Sequence, residues 1–143
     1  MLLIQHNNLY KNISIIKNMR IGVHAVVIEN GKILLVKKDK KWILPGGKPG
    51  ERELDNECLI REFSEELSGT RVRNLKFYGK FRGPTPKKGD MLDDIVYFAK
   101  IDGELGQPSE EISAVEWVGD ITGYDISDIT SQVIDSLRKG KYL

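Results

Sequence analysis

Three glutamates, Glu62, Glu65 and Glu66, follow a glycine-rich turn at spacings of three and four residues. In a helix that spacing stacks side chains on one side. Helix formation then crowds three like charges, which by itself is unfavourable. A hard divalent cation such as Mg²⁺ removes the conflict, because it takes oxygen ligands of this kind. The stretch 47–70 therefore commits the chain to a helix with an acidic face, reached through Pro45, Gly46 and Gly47. Only a fold that sets this helix beside a polar cleft satisfies both demands.

The spacing of apolar residues predicts the other elements. A helix over 52–67 carries Leu59, Ile60, Phe63 and Leu67 on its core side, with the glutamates about 120° away at about 100° per residue. Gly69 reads as its stop. Asn30-Gly31 between the apolar runs 23–28 and 32–36 signals a hairpin. Short strands are expected at 42–44, 75–81, 94–101 and 114–118, with a loop over 83–90. A second helix over 127–138 shows the stripe Ile129, Val133, Ile134 and Leu137, with Gly140 as its end. Strands alternating with two helices predict a layered α/β arrangement.

With 143 residues, the chain suits one domain. We expect an N-terminal extension over 1–19 and the domain proper over 20–143. The net charge of +1 gives no electrostatic reason for stable binding to nucleic acid or membrane. Cys58 is the single cysteine and His6 and His24 are the only histidines, which argues against a zinc site and a disulfide framework. The opening residues lack the pattern of a secretion signal, so a cytoplasmic location is expected.

The acidic stretch resembles the Nudix box: Gly, five residues, Glu, seven residues, Arg-Glu, a bulky apolar residue, one residue, Glu-Glu. Gly47, Glu53, Arg61, Glu62, Glu65 and Glu66 fall on this pattern, and Phe63 takes the apolar position. Five charged positions at fixed offsets arise by chance at roughly one start point in a million, at ordinary residue frequencies. Ser68 stands where the box has Gly, and Gly69 comes one place late. Trp42-Ile43-Leu44-Pro45-Gly46-Gly47 resembles the usual lead-in, and the 114–118 run resembles a late strand of the family.

The resemblance implies a Nudix-type α/β/α sandwich with a mixed β-sheet. It implies Mg²⁺- or Mn²⁺-dependent hydrolysis of the pyrophosphate linkage in a nucleoside diphosphate derivative. The first substrate expected is a nucleoside triphosphate. ADP-ribose or a related ADP-sugar is the alternative, suggested by Pro84 and Pro86. A non-catalytic nucleotide-binding regulator is the reading of another class. A small nucleotide is the expected partner, and a homodimer is open.

Residue by residue, Glu62, Glu65 and Glu66 are expected on the metal, with a carbonyl of Gly46 or Gly47 able to approach because no side chain blocks it. Glu53 is expected to orient water or bridge to a ligand. Arg61 either contacts phosphate or grips a box glutamate in a forked ion pair; the resemblance favours the second. The general base is a box glutamate, such as Glu65, or a late-loop residue, Glu110 or Glu111. Lys37, Lys38, Lys40, Lys41, Lys48, Arg82, Lys87 and Lys88 are candidate phosphate contacts; Lys37, Lys48 and Arg82 are carried forward, with Arg82 first. His24 reads as a half-buried structural residue; Asp93 and Asp94 open a strand and read as strand-end caps, with one of them pointing into the cleft as the alternative; Trp42 and Trp117 read as packing residues, with stacking on a base as the alternative.

Overall fold

The computed structural model describes residues 20–86 and 88–143. The expected extension over 1–19, with His6, and the candidate Lys87 lie outside the described residues.

Among the described residues, eight strands and two helices follow in chain order. They are β1 (Arg20–Val26), β2 (Ile28–Glu29), β3 (Lys32–Lys38), β4 (Lys41–Ile43), β5 (Gly46–Gly47), α1 (Asp55–Glu66), β6 (Thr70–Pro84), β7 (Met91–Gly103), β8 (Ala114–Val118) and α2 (Asp128–Lys139). The first sheet has the order β5-β1-β7-β6 and is mixed: β1 and β7 run parallel, and the other pairs are antiparallel. The second is antiparallel around β3, which pairs with β2, β4 and β8. The α/β class with a mixed sheet is as expected, and a second sheet joins it.

Alternation along the strands splits the core into two layers. Val23 and Ala25 of β1 pack with Leu34, Val36, Cys58, Leu59 and Phe63 under α1. Val26 turns to the other face, with Ile33, Leu35, Leu44 and the α2 stripe Ile129, Val133, Ile134 and Leu137. Each fully buried Leu, Val or Phe contributes about 1.5–3 kcal/mol, so the helices are fixed to opposite faces by apolar burial. Trp42 lies in the α2 layer, edge-on to Tyr124.

The Asn30-Gly31 turn forms as expected. Both residues have positive φ, 52° and 75°, and Ile28 pairs with Ile33. β6 and β7 are longer than their apolar centres suggest. Polar residues such as Arg71, Arg73 and Lys76 sit on an edge strand, where one face meets water and carries no apolar signal. The edge position also tolerates Pro84, which has no N–H to donate.

α1 starts three residues later than expected. Arg52 has a positive φ of 65°, and Glu53 closes a turn back to Gly50. Leu54 N–H then donates to Glu57 at the first turn. Leu59, Phe63 and Leu67 are buried as expected, but the covered face is rotated away from Ile60 toward Cys58. Cys58 is fully buried and Ile60 is 54% exposed. Glu66 is 3% exposed. Its position lies within about 20° of Leu59 on the helix wheel, so it points into the packed face, whereas Glu65 points outward.

Candidate active site

The turn before α1 is tight enough to need glycine twice. Gly46 has φ +143°, and a Cβ there would lie 2.2 Å from the Val23 carbonyl oxygen. A Cβ on Gly47 would lie 2.5 Å from the Glu62 carboxyl carbon. The glycines therefore let the backbone lie directly against Glu62. The Gly47 carbonyl faces the same helix, 3.9 Å from the Cys58 sulfur.

Arg61 organises one side of the site. Its Nε and Nη2 donate to the two oxygens of Glu53 at 2.8 and 2.9 Å, a forked pair. Its Nη1 reaches Glu62 at 2.9 Å and Glu65 at 3.3 Å, and Nη2 also donates to the Lys48 carbonyl at 3.1 Å. Of the two readings of Arg61, the geometry supports the grip on box glutamates. Glu53 accepts from Gly50 N–H as well, at 2.9 Å. The Arg61 guanidinium first, and then this N–H, hold the Glu53 carboxyl down at about 2. The same carboxylates push the arginine further up. Burial, reinforced by Glu53 and Glu62, pushes the Cys58 thiol up to about 12, so it is a packing group.

Glu66 has none of this support. Both of its oxygens are sealed from solvent and without a hydrogen-bond partner among the described residues. Burial pushes its carboxyl up to about 9, with the neighbouring Glu62 adding to the rise. Lys38 pulls in the opposite direction, and Glu111 adds a smaller push. An orphaned buried carboxyl is costly, and a cation bound there would offset that cost. Glu62 and Glu66, one turn apart, with the Gly47 backbone against Glu62, form an oxygen-rich, side-chain-free corner that suits Mg²⁺ or Mn²⁺. Among the described residues no three acidic, His or Cys side chains are already closed into a cage. Arg61 holds one oxygen each of Glu62 and Glu65.

A cavity of about 250 Å³ opens beside this corner. Arg20, Lys38, Lys48 and Lys88 line it, with His24, Gly47, Pro86 and Leu92. Arg20 is ion-paired to Asp90 at 2.6 Å, and Lys38 lies 3.4 Å from Glu111. A smaller lobe of about 60 Å³ continues inward past His24, Ile43 and Leu92 to Asp94, Ser127 and Thr130.

The other candidates sit as follows. Lys48 lines the cavity. Lys37 holds its ammonium over the Trp42 ring, 5.9 Å from the centroid. Strand parity explains this: Lys37 follows Ile33 and Leu35 on one face, and Lys38 follows Leu34 and Val36 on the other. Arg82 is exposed, with Nε 3.7 Å from Asp93. Of the late-loop pair, Glu111 reaches Lys38 and influences Glu66, while Glu110 is exposed and makes no side-chain hydrogen bond or ion pair among the described residues.

Arg20 carries no signal of its own in the sequence and His24 reads as structural, while of the Asp93–Asp94 pair it is Asp94 that reaches a pocket. Asp93 and Asp94 do not cap a strand end. They lie inside β7, buried, and Asp94 pairs with His24 at 2.5 Å. The signal was available: two carboxylates between Leu92 and Ile95 in a half-buried strand need partners.

Comparison with known proteins agrees with this geometry. The chain matches the NUDIX domain over residues 18–119. It is 26% identical to an uncharacterized Nudix hydrolase of Bacillus subtilis strain 168, YvcI, over 127 residues, covering 84% of this chain and 80% of the relative. The crystal structure of a MutT Nudix hydrolase from Burkholderia pseudomallei superposes with a TM-score of 0.73 at 24% identity, covering 82% of this chain and 97% of that one. A Nudix hydrolase from Nitrosomonas europaea gives a TM-score of 0.72 at 18% identity, with 87% and 91% covered.

Proposed function

The chain belongs to the Nudix family of enzymes that hydrolyse pyrophosphate bonds in nucleoside diphosphate derivatives, and on that premise we propose that it converts a nucleoside triphosphate to the monophosphate and pyrophosphate. The observation that carries the reading is the sealed carboxyl of Glu66, unpartnered among the described residues, beside Glu62 and beneath the Gly47 turn, which also lines a cavity with Arg20, Lys38, Lys48 and Lys88.

Nudix hydrolases generally use divalent ions. Here Glu62 and Glu66 would hold Mg²⁺ or Mn²⁺, with Glu65 and a Gly46 or Gly47 carbonyl in reach, and the ion would neutralise phosphate charge and acidify water. The protein's own groups do the rest. Arg61 fixes Glu53 and Glu62 in orientation through its fork. Lys48 and Lys38 meet the polyphosphate charge from the cavity wall. Glu111 takes the proton of the attacking water. The water oxygen bonds to phosphorus, and the bridging P–O bond breaks with its electrons leaving on pyrophosphate. Lys38, 3.4 Å from Glu111, holds that carboxylate toward the cavity wall.

ADP-ribose is the second reading, favoured by Pro86 in the cavity wall and Pro84 at its inner lobe. The test is a panel of nucleoside triphosphates and ADP-ribose with Mg²⁺, following pyrophosphate or monophosphate release. Release of pyrophosphate from triphosphates supports the proposal. Turnover of ADP-ribose alone moves the function to the second reading. Nucleotide binding with no turnover of any compound makes the chain a regulator.

A further inference from the structure

The cavity wall carries an arginine that an acidic residue outside the cavity holds in place. Arg20 opens β1 and pairs in register with Leu92, which sets it beside the turn from β6 to β7. Pro84 pairs with Met91 across that turn. One step further out, Thr85 N–H donates to the Asp90 carbonyl at 2.8 Å, and Gly89 N–H donates to the Thr85 carbonyl at 3.0 Å. Arg20, Thr85, Pro86 and Lys88 line the cavity together with Gly47 and Lys48, and Asp90 does not.

The Asp90 carboxylate divides its two oxygens. Oδ1 accepts from the Thr85 hydroxyl at 2.6 Å, and Oδ2 lies 2.6 Å from Arg20 Nε. The Thr85 hydroxyl first, then the Asp90 backbone N–H and the charges of Arg20 and Lys88, hold the carboxyl below its ordinary range, so it is an anion at neutral pH. Thr85 fixes the direction of the carboxylate, and the carboxylate fixes the direction of the guanidinium. Arginine presents its N–H donors in a rigid fork. Nε is the atom that meets Asp90, so the end of the fork, with Nη1 and Nη2, can take a second oxyanion through two parallel bonds. Lys48 and Lys88, as point charges on flexible stems, offer no such fork. The Arg20 and Asp90 side chains are 38% and 44% exposed, and an exposed ion pair adds little to stability. Its removal therefore tests the site and not the fold.

We propose that Arg20 binds a phosphate of the substrate through Nη1 and Nη2, and that Asp90, without touching the substrate, is the positioning residue that aims it. The planar fork matches two oxygens of one phosphate. That phosphate carries its charge before and after the bridging bond breaks, so the contact contributes to binding and not to the chemical step. The proposal rests on the nucleotide reading above, and it is tested so that the two can fail separately.

The experiment measures kcat and KM with Mg²⁺ for each triphosphate that is turned over. Alongside, calorimetry follows binding of α,β-methylene-ATP and α,β-methylene-GTP, whose bridging carbon prevents cleavage. Arg20→Ala is expected to raise KM, and the Kd of the analogue, by about tenfold to a hundredfold with kcat within about threefold. Arg20→Lys should recover only part of the loss, since it keeps the charge without the fork. Asp90→Asn should raise KM about three- to tenfold, Asp90→Glu less, and in the Arg20→Ala background Asp90→Asn should change KM by less than about twofold. A residue acting only on the fold would carry the same effect into both backgrounds, and that result overturns the role of Asp90. Unchanged KM and Kd in Arg20→Ala overturn the proposal and leave hydrolysis standing. With no turnover, loss of analogue binding in Arg20→Ala sustains the phosphate contact while the hydrolytic reading falls. No binding by the unsubstituted protein sinks both. If Asp90→Asn does not fold, Thr85→Val, which removes the hydroxyl that fixes the carboxylate, takes its place in the cycle.

Discussion

Two carboxylates prepared by the same turn and helix behave in opposite ways. Glu53 has all it needs from the protein: a forked arginine, a backbone N–H and a carboxyl held down at about 2. Glu66, one turn beyond Glu62 on α1, has neither solvent nor a hydrogen-bond partner among the described residues, and burial pushes its carboxyl up to about 9. The first arrangement is complete as it stands. The second lacks a partner among the described residues, and a bound cation would supply one. A fold that satisfies Glu53 so fully had the means to satisfy Glu66, and the contrast separates the residues that build the site from those that await a ligand.

The largest expected effect comes from Glu66. Glu66→Gln keeps the bulk and removes the charge at a ligand position, and turnover should fall about a thousandfold, the equivalent of several kcal/mol of charge stabilisation. Steady-state kinetics with saturating Mg²⁺ checks this, and an unchanged kcat would erase the distinction between the two glutamates. Arg61→Lys should come next. Lysine cannot fork, so Glu53 and Glu62 lose their orientation and the rate should drop about ten- to a hundredfold, with the fold retained by circular dichroism. Glu111→Gln is expected to slow turnover about tenfold or more as loss of a general base, whereas Glu110→Gln should leave kcat within about twofold. Equal effects from the two would remove Glu111 from its role.

The smallest effect is on stability, and its sign is specific. The folded Glu66 carboxyl titrates above its unfolded value of 4.5. Between about 4.5 and about 9 the unfolded chain has therefore lost a proton that the metal-free fold retains. The stability of the metal-free protein should fall as pH rises across that window. Glu66→Gln should flatten the slope in thermal melts taken from pH 5 to 9. Glu53 runs the other way: its contribution is present above the unfolded value of 4.5 and is lost as pH falls toward about 2.

Much of this was legible in the residues. The Asn30-Gly31 hairpin, the α2 stripe and the Gly47-to-Glu66 spacing each declare themselves through local chemistry: positive φ, apolar period and like charge. What was hidden depends on the neighbours that tertiary structure supplies. Ile60 was expected in the core and is exposed, and Cys58 takes the core place beneath Gly47, because the closeness of the turn decides which side of α1 is covered. Glu66 shares the apolar face for the same reason. Lys38 lines the cavity and Lys37 does not because strand parity places their side chains, which a run of lysines in a loop-like segment conceals. The His24–Asp94 pair joins residues 70 apart in the chain, across the parallel strands β1 and β7, so the local pattern shows that the carboxylates need partners but not which partner they find.

The central claim is that Glu62 and Glu66 hold a divalent cation at this corner. A Mg²⁺ titration followed by NMR on the glutamate side chains, with pH recorded in weak buffer, tests it most directly. The account predicts saturable shifts at Glu62 and Glu66, little change at Glu53, and proton release below pH 9 that disappears in Glu66→Gln. Absence of shifts at both ligands, with and without nucleotide, would contradict it.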